Sequence, residues 1–61
     1  MDSVKYQVRT TDTKHNVYHS ILFSSLWATQ LVAEEAFRNR NVIRTEILNL
    51  TNHTIEKVYS K

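Results

Sequence analysis

The chain contains neither glycine nor proline, and no cysteine, in 61 residues. Every turn must therefore be made without the residue that enters positive φ at no steric cost and without the one that presets it. Tight reversals fall to Asn and Asp or are replaced by longer polar loops. No disulfide framework or thiolate zinc site can reinforce the core either. A chain of this length buries only about 60% of the surface its unfolded form exposes, so stability is expected to be marginal. Oligomerisation is the common remedy left.

Two polar gaps meet the turn requirement. Thr11-Asp12-Thr13-Lys14-His15-Asn16 and Thr51-Asn52-His53-Thr54 each separate two apolar stretches and read as hairpin connections. Asn52 is the expected left-handed residue, because its short amide tolerates that region. Ahead of the first gap Val4, Tyr6 and Val8 alternate with Lys5, Gln7 and Arg9, the period of a half-buried strand. After it Val17 to Phe23 is rich in β-branched and aromatic residues, with Val17, His19, Ile21 and Phe23 on one face and Tyr18, Ser20 and Leu22 on the other. Val42 to Leu50 and Ile55 to Tyr59 form a second hairpin.

Between the hairpins the period changes from two to 3.6. Ser24 or Ser25 offers an N-cap hydroxyl, and Asn39-Arg40-Asn41 a stop, which predicts a helix over Ser25 to Arg40. A competing reading carries this helix back to Val17, since Val17 and Ile21 are also four apart. At about 100° per residue, Leu26, Thr29, Val32, Ala33, Ala36 and Phe37 share the core face. Trp27 and Leu31 fall on the far side at roughly 100° and 140° from Leu26, among Glu34, Glu35 and Arg38. The fold class that follows is α+β: one domain over 1–61, a two-layer sandwich in ββαββ order, with a four-stranded, largely antiparallel sheet and one helix on one face. Strand order lies beyond sequence pattern.

A single helix leaves the other sheet face open. Strict alternation places Lys5, Gln7, Arg9, Tyr18, Ser20, Leu22, Arg44, Glu46, Leu48, Lys57 and Tyr59 there, and Val4, Tyr6, Val8, Val17, Ile21, Phe23, Ile43, Ile47 and Val58 toward the helix. A one-residue slip in the last hairpin would exchange Lys57 and Tyr59 between faces.

Two surfaces compete for a function. Trp27 and Leu31, four residues apart and ringed by Glu34, Glu35 and Arg38, make a small apolar patch with a polar rim. That patch points to a non-enzymatic protein-interaction module, self-associating as a homodimer or binding another protein, in the class of regulatory or inhibitory accessory proteins. The alternative is single-stranded nucleic-acid binding by the open sheet, with Lys5, Arg9, Arg44 and Lys57 on phosphates and Tyr18 and Tyr59 stacking on bases. A net charge of only +2 gives that alternative weak support. The open face is also a possible dimer surface through Leu22, Leu48, Leu50 and the tyrosines.

Catalysis finds little footing. His15 and His19 are four apart, yet on a strand that spacing is about 13 Å, too far to share a metal. Glu34 and Glu35 are helix neighbours that point apart, and the serines lack the glycines of a nucleophile elbow or phosphate loop. No enzyme, cofactor, metal or small-molecule substrate is expected. No apolar run approaches a membrane span and Met1-Asp2-Ser3 shows no signal-peptide pattern, so no membrane partner and a cytoplasmic location are expected. Asn49-Leu50-Thr51 and Asn52-His53-Thr54 are chance matches to the glycosylation acceptor in that setting.

Overall fold

A computed structural model describes residues 4–61. The predicted order holds: β1 (Tyr6–Asp12), β2 (Val17–His19), α1 (Leu26–Phe37), β3 (Val42–Asn49) and β4 (Thr54–Ser60). The four strands form one antiparallel sheet in the order β2-β1-β3-β4, with α1 packed over β1 and β3. Val17 to His19 is strand, which excludes the long-helix reading. Val4, at the expected start of β1, precedes the strand proper.

The β1–β2 turn is built by Asp12. Its Oδ1 accepts from the backbone N–H of Lys14 and Asn16, both at 2.9 Å, and its carboxyl group is held below the usual range chiefly by the Asn16 N–H. The pairing that results is Thr10 with Tyr18 and Thr11 with Val17, which carries β1 three residues further than the alternation predicted. In the second turn Asn49 plays the same part, its Oδ1 accepting from Thr51 N at 3.1 Å and Asn52 N at 3.0 Å. Neither turn uses Asn52 for positive φ. The left-handed positions are His15 (φ 65°) and His53 (φ 58°), a residue type enriched there after Asn and Asp.

β2 is shorter than predicted because Ser20 interrupts it. The Val8 N–H donates to Ser20 Oγ at 2.9 Å, and Ser20 Oγ itself donates to the Ile21 carbonyl at 2.7 Å. A side chain thus takes the ladder position that a continuing backbone would fill. Ile21 and Leu22 are pushed outward, Ile21 to 76% exposure, before Phe23 returns to pair with Tyr6 and pack on the core.

Ser25 is the N-cap, in extended conformation, with its hydroxyl accepting from Ala28 N at 3.3 Å. The helix stops at Phe37, three residues before the predicted end, as Asn39 N bonds the Ala36 carbonyl and Val42 N bonds the Asn39 carbonyl. Thr29 and Ala33 are its fully buried residues, and Ala33 meets Val8 and Ile47 from the sheet. Val32, expected in the core, is 38% exposed on the flank. Phe37 stacks obliquely on Tyr59 with ring centroids 5.7 Å apart, and Lys61 donates to the Asn39 carbonyl at 2.8 Å, so the end of β4 clasps the end of the helix. The buried apolar core is small: Val8, Ala33, Val42 and Ile47.

Candidate interaction surfaces

The face of each strand follows from its ladder partners, because directly opposed residues share a face. Tyr6 and Val8 point toward the helix as predicted. Tyr18, opposed to Thr10, therefore lies on the helix side, and Val17 and His19 lie on the open side, the reverse of the expected parity. β4 is also inverted. Leu48 pairs with Ile55 but Ile47 pairs with Lys57, so Glu56 is an extra residue that bulges the strand. Without it Lys57 and Tyr59 would continue on the open face; with it they turn to the helix and Val58 turns away.

This corrects the composition of the open sheet face. Its rows are Gln7, Leu48 and Ile55; His19, Arg9, Glu46 and Val58; and Val17, Thr11, Arg44 and Ser60. Of the six residues of the nucleic-acid alternative, Arg9 and Arg44 sit together here. Lys5, just before β1, exposes its side chain while its carbonyl accepts from Leu50 N. The other three are on the helix side: Lys57 lies 5.2 Å from the Tyr59 ring centroid, Tyr59 packs on Phe37, and the Tyr18 hydroxyl reaches Asp12 Oδ2 at 3.3 Å. The two tyrosines and the two arginines are thus separated by the thickness of the sheet.

At the centre of the open face Glu46 is 4% exposed although no second layer of the described residues covers it. Arg9 and Arg44 do the covering. Arg9 Nε donates to Glu46 Oε1 at 2.7 Å and Arg44 Nη2 to Oε2 at 3.2 Å. The Arg9 hydrogen bond holds the Glu46 carboxyl below its ordinary value, against the desolvation that raises it, and the same bond raises the Arg9 guanidinium. Glu46 appeared in the sequence only as one residue of an alternating strand. Its signal was the Arg44-x-Glu46 spacing, which places both charges on one face of β3. A hollow of about 210 Å³ adjoins this cluster, with Arg9, Leu48, Leu50 and Ile55 in its wall.

The helix crest carries the second surface. Trp27 is 70% exposed and Leu31 half exposed. Around them Glu35 and Arg38 form an exposed i,i+3 pair at 3.2 Å, while Glu34 leans the other way, accepting from the Tyr59 hydroxyl at 3.5 Å, the outer limit of a hydrogen bond. On the β2 side a groove of about 650 Å³ opens between helix and sheet, walled by Leu31, Val32, Ala36, Tyr18 and Val42. It exists because β2 ends at His19 and α1 sits over β1 and β3, leaving the sheet edge uncovered. The small Ala36 in line with Val32 was the sequence signal for it.

Among the described residues no group of three or more His, Asp or Glu side chains gathers to hold a metal ion, and no helix is long and apolar enough to cross a membrane. Set against family models, characterised proteins and solved structures, the chain matches none.

Proposed function

We propose that this protein is a non-enzymatic interaction module that self-associates through the crest of α1, in the manner of a small regulatory or accessory protein. The observation that carries the reading is Trp27, the largest side chain in the molecule, standing 70% exposed one helical turn from half-exposed Leu31, which lines the apolar groove. With four apolar residues buried among those described, much is left to gain from covering that surface. The rim supports a like partner. A two-fold contact must be self-complementary, and this patch carries both signs, Glu35 with Arg38. The Glu35–Arg38 pair is exposed enough to exchange partners across an axis at little cost.

The test is molar mass over a concentration series, paired with the emission of the single tryptophan. Self-association through the crest doubles the mass and shifts Trp27 emission to the blue as concentration rises. Trp27→Ser stays monomeric with unchanged circular dichroism. A wild type that remains monomeric at the highest attainable concentration defeats the proposal, and so does a Trp27→Ser protein that dimerises as before.

A further inference from the structure

The open sheet face carries a separate inference, independent of the helix crest. Glu46 is an odd residue for a face with no layer above it. Its contribution to stability is modest, since both arginines are partly exposed. Its geometric effect is larger: two guanidinium groups are held on adjacent rows of the sheet, 2.7 and 3.2 Å from one carboxylate. Each arginine uses one nitrogen in that contact. Among the described residues Arg9 Nη1 and Nη2, and Arg44 Nε and Nη1, make no further hydrogen bond. The cluster therefore has a net charge of +1 and guanidinium donors to spare on two positioned side chains, the arrangement suited to an incoming carboxylate.

The surroundings select the kind of partner. Leu48, Leu50 and Ile55 make the hollow beside Arg9, and Val17 and Val58 extend the apolar frame. No Tyr, Phe or Trp lies among the described strand residues of this face, and its one aromatic ring there is His19 on the edge strand β2, so successive stacked bases find no platform here. A second copy is disfavoured as well, because it would set two clusters of the same sign against each other. We propose that the open face docks an acidic segment of another protein, its carboxylates on Arg9 and Arg44 and a neighbouring aliphatic side chain in the hollow.

The experiment is a titration of isotope-labelled protein with the peptide acetyl-Leu-Glu-Val-Glu-Leu-amide, followed by NMR. Its glutamine counterpart and an oligothymidylate are run in parallel. The Arg9 and Arg44 Nε–H signals and the Leu48 and Ile55 amides should move with the acidic peptide alone. Arg44→Gln leaves the Arg9–Glu46 bond in place, keeps the fold, and should weaken binding roughly tenfold. Trp27→Ser, acting on the other surface, should bind the peptide like wild type. Equal shifts with the glutamine peptide, no shifts on this face, or shifts with oligothymidylate alone each overturn the proposal, the last in favour of a nucleic-acid surface.

Discussion

Replacing Thr45 by Val should make this protein more stable. Thr45 is completely buried on the helix side of β3, between Thr10 and Tyr59, and its Oγ1 has no hydrogen-bond partner among the described residues. A buried hydroxyl left unpaired is destabilising by about 1–3 kcal/mol. Valine occupies nearly the same shape, puts a methyl where the hydroxyl stood, and favours a strand at least as well. Allowing for imperfect repacking, the expected gain is about 1 kcal/mol. Against a total of about 3–9 kcal/mol for a chain this long, that is a large fraction. It corresponds to a rise of roughly 4–8 °C in Tm, measured by circular dichroism and checked by urea unfolding at constant slope. Thr29 supplies the control. It is equally buried, but its Oγ1 donates to the Ser25 carbonyl at 2.6 Å. Thr29→Val should therefore lower stability, by about 0.5–1.5 kcal/mol. If the two substitutions change stability in the same direction, hydrogen-bond satisfaction is not what distinguishes these sites.

Ser20→Ala removes the acceptor of the buried Val8 N–H and should cost about 1–3 kcal/mol, read as a lower urea midpoint. Ser25→Ala removes the N-cap and should cost about 0.5–2 kcal/mol, visible as reduced Tm with the same folded spectrum. Because the folded Glu46 carboxyl titrates below its ordinary value of 4.5, its stabilisation is present above that pH and is lost as pH falls through the folded value; Glu46→Gln should flatten this acid limb of a stability–pH curve. An acid limb unchanged by Glu46→Gln would assign the loss elsewhere, with Asp12 the next group to test.

The parts of the fold legible in the sequence were those written in local pattern. The two polar gaps, the period-two runs and the Ser25 cap gave the element order and one helix on one face. Facing was lost where a single residue decided it. Glu56 bulges β4 and inverts Lys57, Val58 and Tyr59, and nothing in Thr-Ile-Glu-Lys-Val-Tyr marks which residue will be left unpaired. Ser20 ended β2 through a side-chain hydrogen bond to a residue twelve positions earlier, which no windowed pattern contains. The Trp27–Leu31 patch could be read from angular bookkeeping alone, because helix periodicity is insensitive to distant register. The Arg9–Glu46–Arg44 cluster could not, since it needs β1 beside β3.

That adjacency has a consequence for how the chain reaches its structure. The two hairpins are local, but each holds only an outer strand, whereas the inner pair joins Val8 to Ile47, 39 positions apart. Closing so long a loop must precede any reward from it, so the rate-limiting event should be the meeting of β1 and β3 under a partly formed α1. Substitutions at Val8, Ala33 and Ile47 should then slow folding, while those in β4 mainly hasten unfolding. The outer strands would be late additions, and the two surfaces that depend on them, the groove beside β2 and the hollow beside β4, would be the last parts of the molecule to take shape.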